Sequence, residues 1–248
     1  MNLGDRKLSL GMSGADVIEL QIRLAGFLGT VWSGNFRNST EAQVVAFQRD
    51  YMKIVPSGIM DMPTVNALVK FTQDFPVDFN SLKCVCGTCD GFGHGQFRGM
   101  YMPGQPEIEA YNKYEYPGIH KAILHAFRAA WFYSRNAGLG EAQITCGYRC
   151  SVNNAQHSRT STNHMGKALD WVPSSNKPND VRTLMVQKSN FQIGWSVKDV
   201  KALEPANIAP TWVHMDVREM PSLYLNDIYF VKKAVDLDSL TIKYLEIK

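Results

Sequence analysis

Two short stretches carry residues whose types and spacing could do chemistry. Residues 161–171 read STNHMGKALDW, with His164 and Asp170 on either side of Gly166; residues 212–219 read WVHMDVRE, with His214 and Asp216 on one strand-like run. Imidazole nitrogen and carboxylate oxygen are zinc ligands when they sit about 2 Å from a common centre. In a continuous strand at about 3.3 Å per residue, His164 and Asp170 would stand about 20 Å apart. A shared ion therefore requires a bend between them, and Gly166 is the residue best able to make it. With KALD as a short strand after the bend, Asp170 turns back toward His164. His214, in the alternating run WVHMD, is placed to join them from a neighbouring strand. Two histidines and one carboxylate leave one position of a tetrahedral zinc open for water, which is what a hydrolytic site requires.

Regular elements must hold these residues. QITCGYRC, KALDWV and TWVHMDV alternate like half-buried strands, and SLTIKYLEI near the C-terminus is a further strand candidate. PGIHKAILHAFRAAWFYSRNAG reads as a helix opened by Pro117 and closed by Gly138, with Ile119, Ile123, Ala126, Phe127 and Ala130 as its core face. Its His120 and His125 do not share a helical face and are expected to be exposed or partly packed rather than metal ligands. Residues 87–105 are rich in glycine and proline and read as a loop.

Residues 8–72 contain a weak internal repeat of three short amphipathic helices. The first has Ser13 at its start and Val17, Leu20, Leu24 and Phe27 as its stripe. The second is capped by Ser39 or Thr40 and buries Ala42, Val45, Ala46 and Phe47. The third has Pro63 in its first turn and buries Val65, Leu68 and Val69. Helical periodicity stops near residues 73–83. The expected fold class is α+β: a three-helix bundle over 1–75, then a domain over 76–248 with a mostly antiparallel sheet.

With 248 residues, 45% of them hydrophobic and 20% charged, the chain suits one large domain or two smaller ones. A net charge of +3 is too small to argue for nucleic acid. No apolar run approaches the roughly 20 residues of a membrane-spanning helix. Five cysteines, Cys84, Cys86, Cys89, Cys146 and Cys150, cannot all pair within the chain. CVCGTC followed by His94 offers donors for a structural zinc knuckle, or reduced or partly paired cysteines beside a loop; neither reading makes them part of the catalytic site.

LGMSGADVIELQIRL, FRNSTEAQVVAFQ and SGIMDMPTVNAL together resemble the three-helix peptidoglycan-binding domain carried by many cell-wall hydrolases, apart from NFRNST, where that family usually has a glycine before the threonine. GYRCSVNN, STNHMGKALDW and WVHMDVRE, in that order, resemble the zinc metallopeptidases that include D-Ala-D-Ala carboxypeptidases and phage L-alanoyl-D-glutamate endopeptidases. The second resemblance implies His164, Asp170 and His214 as ligands of Zn2+. It also implies that Arg149 pairs with a substrate carboxylate or stabilises the oxyanion. Two departures stand out. Only Met165 separates His164 from Gly166, where the family has two residues, and the usual positions of the general base hold Trp212 and Thr211, which cannot take a proton. The base must come from elsewhere. Glu204, in the Pro-bounded loop ALEPANIAP, is the first candidate and Asp216 the second, with His157 a spare proton donor.

The combined resemblance implies a peptidoglycan hydrolase of the phage-endolysin kind that cuts the L-Ala–D-Glu bond of the stem peptide. The alternatives are a D-Ala-D-Ala carboxypeptidase and a murein-binding protein without chemistry. The expected partner is peptidoglycan, with no nucleic acid and no stable membrane insertion, and the chain is expected to act as a monomer. MNLGDRKLSL lacks the apolar core of a secretory signal. The expectation is an enzyme made in the host cytoplasm that reaches the wall through a separate membrane lesion.

Overall fold

Helices α1 (Ala15–Arg23), α2 (Asn38–Asp50) and α3 (Met62–Asp74) build the N-terminal part. The computed structural model describes residues 1–95, 115–159, 163–189, 203–217 and 222–242. The sequence repeat has a physical basis in two buried glutamines. Gln21 of α1 accepts from the backbone N–H groups of Ser33 and Gly34, and donates to Asn35 O and to Thr40 Oγ1 in α2. Gln48 of α2 accepts from Ser57 and Gly58, and donates to Ile59 O and to Thr64 Oγ1 in α3. Each glutamine thus satisfies a Ser-Gly turn and ties one helix to the start of the next, giving partners to loop N–H and C=O groups on the inner side of the turn.

These bonds also correct the expected caps. Helix α1 is capped by Gly14 rather than Ser13, and α2 starts at Asn38 after Arg37, with the Thr40 hydroxyl engaged by Gln21. On α2 the buried face carries Val44, Ala46 and Phe47; Ala42 and Val45 are only half-buried. The two buried polar residues Gln43 and Gln48 rotate the helix away from its purely apolar stripe. On α3, Asp61 accepts from Thr64 N as the cap, Val65 and Leu68 are buried, and Val69 is half-buried.

The rest of the chain adds strand β1 (Ile119–His120), helix α4 (Lys121–Asn136), β2 (Ala142–Cys146), α5 (Ser151–Gln156), β3 (Ala168–Pro173), α6 (Pro178–Gln187), β4 (Val213–Asp216), β5 (Phe230–Val231) and α7 (Ala234–Asp238). Strands β2, β3 and β4 form an antiparallel sheet in that order, and β1 pairs antiparallel with β5. The class is α+β, with seven α-helices among the described residues. None of them is long and apolar enough to cross a membrane. Residues 87–95 are irregular, and the rest of the expected 87–105 loop lies outside the described residues. Of the expected C-terminal strand, residues 239–242 show only an isolated bridge from Thr241 to Asn2, and residues 243–247 lie outside the described part.

Helix α4 is covered on two sides, which single-stripe periodicity does not reveal. Ile123, Ala126, Phe127 and Ala130 join the core under the sheet, as does Ile119, which lies in β1 because the helix expected from Pro117 starts only at Lys121; Ala129, Phe132 and Tyr133 join the core of the N-terminal helices. Phe27 lies 5.2 Å from Phe47, 6.0 Å from Phe132 and 5.7 Å from Tyr133 between ring centroids. Gly26, at φ +95°, makes the close approach possible: a Cβ there would stand 2.6 Å from Ala129 Cβ. His120 and His125 are therefore buried, not exposed or partly packed. His120 caps α4 by accepting from Ala122 N, and its Nε2 meets Tyr224 O at 2.8 Å. Burial, together with nearby Arg128, pushes His125 well below its ordinary pKa.

Buried charges cross the same boundary. Glu19 of α1 accepts from Lys121 Nζ of α4 at 2.7 Å and from Arg23 Nε at 2.7 Å. Arg128 Nε donates to Phe75 O at 2.9 Å, and its Nη1 to Asp238 at 2.7 Å.

Candidate metal centre

The register of the three-stranded sheet creates a row of functional side chains. Cys146 of β2 is paired with Asp170 of β3, and Asp170 with His214 of β4. Directly opposed residues in antiparallel strands project to the same face, so one row brings a thiol, a carboxylate and an imidazole together. His164 reaches the row from outside the strands. Gly166, at φ +117°, turns the chain between His164 and β3, and a Cβ there would meet Gly118 O at 2.6 Å. The bend expected from the sequence is thus present at that glycine.

Asp170 is the hub. Its Oδ1 lies 3.3 Å from His164 Nε2 and 2.8 Å from His214 Nδ1; its Oδ2 accepts from Arg149 Nη2 at 2.9 Å. The far nitrogen of each ring is also engaged. His164 Nδ1 lies 2.7 Å from Gly147 O, and His214 Nε2 lies 3.0 Å from Asp216 Oδ2. A carbonyl oxygen can only accept, so Nδ1 of His164 carries a proton, and Nε2 is the nitrogen turned to Asp170: it donates a proton to that carboxylate, and offers a lone pair to a metal only once that proton leaves. Asp216 likewise engages Nε2 of His214, which leaves Nδ1 as the nitrogen turned to Asp170. Holding the outer N–H of a histidine with a carbonyl or carboxylate is how proteins orient metal-binding imidazoles. Imidazole and carboxylate are donors that a cation of the zinc kind accepts, and the three residues here whose donor atoms all lie within 4.8 Å of one another are Cys146, His164 and Asp170.

The charges are strongly coupled. Burial lowers the affinity of His164 for its proton, but the Asp170 charge and hydrogen bond outweigh it and raise the pKa to about 10. Asp170, raised by burial yet held by both histidines, falls well below the usual carboxylate range. His214 is lifted above its ordinary value by Asp170 and Asp216 against the opposing effect of burial.

The other expected residues fall as follows. Arg149 pairs with Asp170 itself and donates through Nε to Cys146 Sγ at 2.9 Å. Glu204 follows Leu203, which bridges antiparallel to Met215, and its Oε2 comes within 3.9 Å of His214 Nδ1. It thus stands at the ring edge that faces Asp170, whereas buried Asp216 stands at the opposite edge. His157 is exposed at the end of α5, with Nδ1 2.8 Å from Asn153 O.

Sequence reading kept all five cysteines apart from this site, yet Cys146 lies against it. Its Sγ is 3.7 Å from His164 Nδ1, and the donor atoms of Cys146, His164 and Asp170 lie within 4.8 Å of one another. Burial raises the thiol pKa, but His164 and Arg149 outweigh it and lower it. This trio is not a nucleophile–base pair: Nδ1 already carries the proton directed at Gly147 O and cannot accept one from the thiol. The available signal was the alternation of β2, which places Cys146 one residue before the Gly-Tyr-Arg turn.

Together these features define a helical module packed onto an α+β part that carries a histidine–carboxylate centre. Residues 13–68, covering α1, α2 and the first half of α3, match the family described as putative peptidoglycan binding domain. That match supports peptidoglycan as the partner of the N-terminal module. No curated protein matches the chain.

Proposed function

We propose that the protein is a peptidoglycan hydrolase of the phage-endolysin kind. Its N-terminal helices hold the wall, and its histidine–carboxylate centre, carrying one zinc ion, cleaves the stem peptide between L-alanine and D-glutamate. The observation that carries this reading is the convergence of His164 Nε2 and His214 Nδ1 on Asp170, with both outer nitrogens held by acceptors. When bound, zinc supplies a Lewis acid that polarises the scissile carbonyl and brings the pKa of water toward neutrality. His164, Asp170 and His214 hold the ion, and Asp216 fixes the ring of His214. Glu204 takes the proton from the attacking water and returns it to the leaving amine. Arg149 balances the charge of Asp170 and turns its remaining N–H groups to a substrate carboxylate or the developing oxyanion. The enzyme is made in the host cytoplasm and meets the wall after release.

Digesting purified sacculi with zinc-loaded protein tests this reading, with products read by mass spectrometry. New amino-terminal glutamate is the expected result, abolished by chelation and restored by zinc. Free D-alanine would instead assign a carboxypeptidase, and sacculus binding without any product would assign a wall-binding protein; either outcome overturns the proposal.

The pKa shifts give the site a pH signature. In the metal-free protein, the raised pKa of His164 contributes stability that is complete below about 6.5 and is lost as pH rises through about 10. Zinc binds the neutral imidazoles, so loading must expel protons and tighten with rising pH. Calorimetry at pH 7 in buffers of different ionisation heat should show at least about one proton released per zinc. Metal-free protein should also melt at progressively lower temperature from pH 7 to 10. Zinc uptake without proton release would contradict the assigned ligands.

A further inference from the structure

A second cluster of donors lies apart from this centre, and its assignment is independent of the hydrolytic reading. CVCGTC supplies Cys84, Cys86 and Cys89, and Cys150 joins them from the start of α5. One sulfur from each residue lies within 4.8 Å of every other. Zinc–sulfur bonds of about 2.3 Å give a tetrahedron with edges of about 3.8 Å, so little movement closes the four around an ion. Cys86 and Cys89 sulfurs are 3.4 Å apart, far from the ~2.05 Å of a disulfide, and all four are free thiols. His94, the donor suggested by sequence, contacts Thr88 Oγ1 at 3.5 Å instead. Its place is taken by Cys150.

The surroundings suit thiolates. Backbone N–H groups of Cys150, Thr88 and Asn153 point at the sulfurs of Cys84, Cys86 and Cys150, each at 3.4 Å. Such donors to ligating sulfur stabilise its negative charge. The loop folds back on itself through Cys84 N to Gly91 O at 2.8 Å. Cys84, Cys86 and Cys150 are buried and Cys89 is half-buried.

We propose that Cys84, Cys86, Cys89 and Cys150 hold a structural zinc ion that fastens the 82–91 loop to the turn bearing Arg149. Four protein donors close the coordination sphere, which separates this site from a catalytic one. Cys150 directly follows Arg149, and Tyr148 N donates to Leu82 O at 2.8 Å, so the ion and the backbone bond pin both ends of the turn. From that turn Arg149 reaches Asp170.

The test uses the full-length Cys146→Ser protein, whose remaining thiols are the four in question. Purified without chelator, it should contain zinc by elemental mass spectrometry. Cobalt replacement should give intense thiolate-to-metal charge-transfer bands, which an imidazole–carboxylate site does not produce. All four thiols should resist alkylation until the metal is stripped. Rapid alkylation of the metal-loaded protein, absence of those bands, disulfides among the four, or iron as the native metal would each overturn the proposal. Should Cys146→Ser misfold, the wild-type protein gives the same readout, with alkylated residues located by peptide mapping.

Discussion

Glu204→Gln should lower turnover on soluble muropeptides about 100-fold or more, the usual scale of lost general-base catalysis, while zinc content and fold are kept. Glutamine preserves the shape of a side chain that is only 20% exposed and 3.9 Å from His214 Nδ1, but it cannot accept a proton. The companion variant Asp216→Asn should behave differently. Asp216 is 1% exposed and bonded to the far nitrogen of His214, so its loss should weaken zinc affinity by roughly 10–100-fold and largely spare turnover at saturating zinc. Measuring kcat and zinc occupancy on both variants separates the roles. Near wild-type turnover for Glu204→Gln, with loss for Asp216→Asn at full zinc, would transfer the base to Asp216.

Glu19→Gln should destabilise the whole chain by about 3–5 kcal/mol, the cost of removing one partner from a buried ionic cluster. Glu19 is 0% exposed and accepts from both Lys121 and Arg23, themselves buried. Neutralising the carboxylate leaves two cations in a low-dielectric core. For a chain of this size the melting temperature should fall on the order of 10 °C. Lys70→Ala provides the contrast. Its partner Asp74 is 2.7 Å away, but Lys70 is exposed, so the loss should stay below about 1 kcal/mol. Because Glu19 and Lys121 lie on opposite sides of the module boundary, wild-type protein should melt in one transition. Two separate transitions, or a Glu19→Gln change within 1 kcal/mol of zero (roughly the value of an exposed pair), would contradict this account.

Much of the architecture was legible in the sequence because local periodicity determined it. Helices α1 to α3 follow their apolar spacing, and the bend at Gly166 follows from the distance His164 and Asp170 had to close. What escaped were contacts set by long-range packing. An apolar stripe predicts one buried face, so it could not announce that α4 would be enclosed on two, taking His120 and His125 with it. The register of α2 differs from its apolar stripe because Ala42 and Val45 count toward that stripe while the buried Gln43 and Gln48, which bond loop backbone, do not. Cys150 and Cys146 are close in sequence to Arg149, but their partners come from remote segments. Spacing along β4 placed Asp216 near His214 without showing which nitrogen it would meet.

The shared aromatic core around Phe27, Phe132 and Tyr133 has a mechanical consequence. A wall-binding module on a loose leash would let the blade search a sphere of neighbouring bonds. Here the handle and the blade are fused along α4, a 16-residue rod of about 24 Å. On the proposed reading, the molecule works as a caliper: once seated on the murein, it presents its cutting edge at one offset and one angle, and stem peptides at other spacings are passed over until it lifts and seats again.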